Sequence, residues 1–116
     1  MSNIIVSNPG RIDLVVYRGD SGRFKVTVNQ SDGTPVDISA STFLCEVKSD
    51  PDDDKPYTTF DVELVAGDTS SIEVVITPDM STAIKQPAFW DLQMQAGSEV
   101  TTLLSGHVRL TRDVSW

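Results

Sequence analysis

The chain is short of the residues that build chemistry. It has one cysteine, one histidine and eight aromatics (four Phe, two Trp, two Tyr) in 116 residues. A lone cysteine makes no internal disulfide, so the fold does not need an oxidising compartment. No apolar run approaches the roughly 18 residues of a membrane-spanning helix. The N-terminal "MSNIIVSNPG" has no basic leader and reads as no signal peptide, which makes a cytoplasm the expected place of synthesis. Basic residues are scarce and scattered: nine Lys and Arg stand against 17 Asp and Glu, for a net charge of −8. Nucleic-acid phosphates and anionic lipid surfaces both call for a basic patch, so this balance argues against either partner. Phosphate-cradling Gly-x-Gly-x-x-Gly and Walker patterns are missing, as is the Gly-x-Ser-x-Gly elbow of serine hydrolases.

What the chain has is alternation. Phe24, Val26 and Val28 share one parity, as do Phe43, Cys45 and Val47. The same holds for Phe60, Val62 and Leu64, for Ile72, Val74 and Ile76, for Trp90, Leu92 and Met94, and for Leu104, Val108 and Leu110. Successive strand residues face opposite ways, so each set predicts one buried face. An earlier strand, Ile12 to Tyr17, is apolar on both parities at Leu14-Val15-Val16, as expected of a strand covered on both sides or meeting a partner chain. Turn signals such as Gly19-Asp20-Ser21-Gly22 and Ala66-Gly67-Asp68 separate the runs. In "TPDMSTAIKQP", Thr77 suits a helix cap, Pro78 the first helical position and Asp79 the positive helix end, with Pro87 closing the turn. The expectation is an all-β protein, an antiparallel immunoglobulin-like β-sandwich of about seven strands with one short helical turn before Trp90. Residues 1–10 read as a flexible arm and residues 11–116 as one sandwich domain.

Candidate sites are few. His107 falls on the polar parity of the last strand, with Ser105 roughly 7 Å along it, too far for a nucleophile–base pair. Cys45 falls on an apolar parity, as a small buried hydrophobe does. Asp50, Asp52 and Asp54 match the first, third and fifth positions of a calcium-loop frame. Lys55 then stands where the frame needs Gly, Pro56 follows, and Asp61 replaces the bidentate Glu, so a solvated acidic loop is the reading. Arg18-Gly19-Asp20 spells an integrin signal, but it follows a strand directly and the next strand begins at once. Gly19, Asp20 and Gly22 read as corner geometry, with no integrin partner. Tyr17, Tyr57 and Trp116 are the aromatics left for a sugar platform. No catalytic residue, cofactor or metal ligand is assigned.

Several segments together resemble small β-sandwich modules of tailed bacteriophages. They are "YRGDSGRFKVTV", "DGTPVDISASTFLCEVKS", "PDMSTAIKQPAFWDLQM" and "GSEVTTLLSGHVRLTRDVS". The likeness is to baseplate upper protein N-terminal domains and minor tail protein modules, and it looks nearest to those of actinobacterial phages. It implies a non-enzymatic structural component of the virion, in tail, baseplate or neck, working by protein–protein contacts and present as a symmetric homo-oligomer. A capsid decoration protein is the alternative, and a receptor- or carbohydrate-binding module a further one. The contacts are expected from Ile4, Ile5 and Val6 of the arm, from Ile12, Leu14 and Val16, and from Trp116, within the tail Asp113 to Trp116.

Overall fold

The computed structural model describes residues 10–111 in full and the backbone of residues 2–6. The alternating runs become strands β4 (Gly22–Val28), β5 (Thr42–Lys48), β6 (Thr58–Leu64), β7 (Ser71–Ile76), β8 (Phe89–Ala96) and β9 (Glu99–Thr111). Before them stand β1 (Ser2–Val6), β2 (Gly10–Arg11) and β3 (Leu14–Tyr17). Ser2 to Val6, expected in a flexible arm, pairs as β1 with β4. The expected strand Ile12 to Tyr17 is broken instead: Ile12 and Asp13 form a step between β2 and β3.

The strands form one curled sheet in the order β1-β4-β7-β6-β5-β8-β9-β2, with β3 also on β9. Strand β6 makes the fold-over. Its residues 58–60 pair with β5 and its residues 61–64 pair with β7. The order β4-β7-β6 facing β5-β8-β9 is the B-E-D and C-F-G arrangement of an immunoglobulin-like sandwich. The sheet is mixed, because β1 runs parallel to β4, and β2 and β3 run parallel to β9.

Where antibody domains join strands B and F by a disulfide, this chain places an aromatic pair. Phe24 of β4 meets Trp90 of β8 edge-to-face, ring centroids 5.9 Å apart. The core continues through Val26, Ile72, Val74, Cys45, Val47, Phe60 and Leu92, all fully or almost fully buried. Burying one side chain of this size contributes about 1.5–3 kcal/mol. Ile38 and Ile84 plug the core from outside the strands. Leu64, expected on the buried face, is 52% exposed at the last position of β6, although its register partner Ile72 is fully buried. Leu103 is buried beside Leu104 through a β-bulge: Leu104 opposes Leu92, Thr102 opposes Gln93, and Leu103 is the extra residue.

The helix α1 (Pro78–Ala83) starts as its sequence indicates. Thr77 Oγ1 accepts from the Met80 N–H at 3.2 Å, and Asp79 lies in the first turn. The helix stops at Ala83, ahead of Pro87, and Ile84 turns extended.

Candidate functional site

Two surfaces could carry chemistry or contacts. The first is a groove of about 240 Å³ on the outer face of β5, β8 and β9. Outward-facing parities of adjacent strands build it. Glu46 opposes Asp91, Asp91 opposes Ser105, and Ser105 opposes Arg11; Lys48 opposes Phe89, and Phe89 opposes His107. The His107 ring packs on Phe89 with centroids 4.6 Å apart. Lys48 Nζ lies 3.7 Å from Glu46 Oε1. Asp91 Oδ1 is buried with no hydrogen-bond partner among the described residues. Burial raises the Asp91 pKa, Lys48 opposes the rise and the Glu46 charge adds to it.

The sign follows from linkage. Folded Asp91 holds its proton to higher pH than unfolded Asp91. Its ionisation therefore costs stability as pH rises above the ordinary carboxylate value. Asp91→Asn is expected to raise the melting temperature at pH 7 and to lose that advantage near pH 3. Thermal melts across this range check it; an Asn variant less stable at pH 7 than at pH 3, each relative to the parent, refutes it.

The second surface is the seam between the two sheet ends. Strand β3 pairs on one side with β9, and on the other it borders a cleft of about 450 Å³. Across the cleft stand Gly22, Arg23 and Phe24 of β4, with Ile76 of β7. Val16, expected as a contact residue, is 5% exposed and belongs to the core. Ile12 and Leu14 are half-buried and pack against it. The outward parity is the other one: Val15 is 57% and Tyr17 52% exposed. The side chains of Ile4, Ile5 and Val6, and all of Trp116 with Asp113 to Trp116, lie outside the described residues.

Close packing holds the step at Ile12 and Asp13. The Ile12 N–H donates to Ser105 O at 2.9 Å, and the Ile12 carbonyl accepts from Trp90 Nε1 at 2.8 Å. Asp13 Oδ1 accepts from the His107 N–H at 3.0 Å, the main reason its pKa is lowered. Directly beneath runs Gly106. Gln86 supplies a pairing that sequence reading missed. Its side-chain Nε2 donates to Val108 O, and its Oε1 accepts from the Leu110 N–H. One amide side chain thus stands in for a strand beyond the start of β8.

The Arg-Gly-Asp segment is tied down. Gly19 has φ +86°, its N–H donates to buried Ser81 Oγ at 2.9 Å, and the Asp20 N–H donates to Tyr17 O. Arg18 Nη2 donates to Ile84 O at 3.3 Å. In the acidic loop, carboxylates close local turns. Asp50 Oδ1 accepts from the Asp52 N–H, and Asp53 accepts from the Lys55 N–H and Ser49 Oγ. Ser105 and His107 both line the outer groove from β9. Tyr57 is half-buried, its hydroxyl donating to Pro87 O. Cys45 is fully buried, and burial pushes its thiol pKa well up, helped by Asp91 and Glu46. It is expected to stay unmodified by a thiol reagent in the native protein and to react fully in denaturant. Stoichiometric native labelling on the same timescale would overturn this.

No protein-family model and no curated protein matches the chain. Among solved structures it is similar to the Lin-41 filamin domain, at 12% identity over 82% of each chain, with a TM-score of 0.46. It is also similar to PbICP-C, solved in complex with falcipain-2, at 9% identity over 97% of this chain and 100% of that one, with a TM-score of 0.43. At these values the likenesses carry nothing about function.

Proposed function

We propose that this protein is a non-enzymatic structural component of a tailed-phage virion, held in tail, baseplate or neck by protein–protein contacts. The observation that carries the reading is the edge of β3, which among the described residues pairs with β9 alone, with Val15 and Tyr17 more than half exposed beside a mainly apolar cleft. An exposed apolar strand edge invites another chain, and proteins that stay alone blunt such edges. The resemblance of the sequence segments to phage sandwich modules gives the setting. A capsid decoration role would use the same contact chemistry. A sugar-binding role would have to be built on Tyr17, the more exposed of the two described tyrosines.

The test is mass spectrometry of purified particles, with tails and capsids separated. Recovery with tails is expected. Recovery with capsids alone favours the decoration role, and absence from both removes the virion reading.

A further inference from the structure

We infer that the opening between β5 and β6 takes up an extended segment of a partner protein in which basic and apolar residues alternate. This surface is separate from the β3 edge and would act whether or not the chain belongs to a virion.

Strands β5 and β6 pair only through Cys45–Phe60, Glu46–Thr59 and Val47–Thr58. Beyond Cys45 and Phe60 they part. Thr42 to Leu44 stay on β8, and Asp61 to Leu64 go over to β7. The Val65 N–H donates to Ser71 O, at the next step of the β6–β7 register. Groups of an antiparallel strand alternate sides, so Asp61 and Glu63 also turn their main chain to β7. Val62 and Leu64 therefore turn their N–H and C=O groups the other way, where the described residues offer no backbone partner. An added strand would bond there, as in strand augmentation generally. Residues opposite each other on neighbouring strands share a face. One face of the added strand would meet Val62, which packs on the core, and Leu64, which is 52% exposed. That face selects apolar residues. The other face would meet Asp61 and Glu63, both exposed.

Charge chooses the occupant. On the adjoining strands the cations are already matched, Arg23 to Glu73 at 2.6 Å and Lys25 to Asp68 at 3.5 Å. Asp61 and Glu63 have no cation partner among the described residues, and Glu63 stands directly opposite Glu73. Residues 36–44 and 58–68, which frame the opening, include Asp37, Asp61, Glu63 and Asp68 but no Lys or Arg. A second copy would bring the same carboxylates to this edge, and like charges directly opposite one another repel. A Lys or Arg opposite Asp61 or Glu63 supplies the counter-charge instead.

The probe is a short blocked peptide alternating Lys and Val, with a Glu/Val peptide as its control. Titration followed by amide NMR is expected to shift residues 42–44 and 61–65. The Glu/Val peptide should bind at least about tenfold more weakly. Asp61→Lys with Glu63→Lys should reverse the preference between the peptides. Asp52→Lys with Asp54→Lys makes the same change of net charge on the acidic loop, and it should leave the Lys/Val affinity within about twofold, since distant surface charges are screened. Leu64→Pro removes an outward N–H at the end of an edge strand, a place that tolerates Pro. It should keep the melting temperature within about 5 °C and weaken binding about tenfold. If the proline variant fails to fold, the two charge variants carry the test. Equal binding of both peptides, shifts confined to other residues, equal losses in the two charge variants, or no binding overturns the inference. So does self-association without peptide that Leu64→Pro abolishes, since the occupant would then be a second copy. The virion reading stands or falls separately: a protein that ignores these peptides can still be recovered in particles.

Discussion

Gly106→Ala is expected to cost about 3 kcal/mol or more and to lower the melting temperature by roughly 10–20 °C. A Cβ at Gly106 would overlap the Ile12 carbonyl oxygen and lie 2.7 Å from its carbon and 3.0 Å from Asp13 Oδ1. The obstacle is mostly backbone, so no rotamer change relieves it. The step at Ile12 and Asp13 must lift off β9. Lifting breaks three bonds: Ile12 N–H to Ser105 O, Trp90 Nε1 to Ile12 O, and His107 N–H to Asp13 Oδ1. Each contributes about 1 kcal/mol net. Gly22→Ala is the control, since a Cβ there meets nothing within 4 Å, and it should change stability by less than about 0.5 kcal/mol. Circular-dichroism melts of the two variants measure the contrast. Equal stabilities would mean that the step does not sit over Gly106.

Trp90→Ala is expected to destabilise by about 3–5 kcal/mol, as for other large aromatics lost from a core. Trp90 is 2% exposed and holds three things together: its own sheet, Phe24 of the facing sheet and the Ile12 carbonyl. Trp90→Phe separates these. It keeps an aromatic ring against Phe24 but removes the indole N–H, leaving the Ile12 carbonyl short of a partner. A loss of about 1–3 kcal/mol follows. A double-mutant cycle with Phe24→Ala should give a coupling of about 0.5–1.5 kcal/mol for the edge-to-face pair. Denaturant titrations supply all four corners of the cycle. Additive losses would remove the aromatic pair from the account of how the two sheets are joined.

These two sites differ in how far they could be read beforehand. Trp90 sits on an alternating run, so its burial was legible from parity alone. Gly106 also shares that parity, but its requirement for Gly comes from the Ile12 carbonyl, near the other end of the chain. The candidate contact strand shows the same division. Leu14, Val15 and Val16 are all apolar, so composition could not say which parity faces inward. The parallel pairing with β9 decided it, burying Val16 and exposing Val15. Asp91 looked like any solvent-facing strand residue. Its raised pKa comes from crowding by neighbouring strands and from the Glu46 placed directly opposite.

By itself the sequence determined the period-two faces, the turns between them, the Thr77-Pro78-Asp79 helix start and the all-β class. Each of these is local: it depends on residues a few positions apart and on backbone rules that hold in any fold. Tertiary structure alone decided the parallel placement of β1, β2 and β3, the fold-over at β6 and the bulge at Leu103. Those depend on which strands become neighbours, and residues far apart in the chain choose neighbours only when the whole core closes.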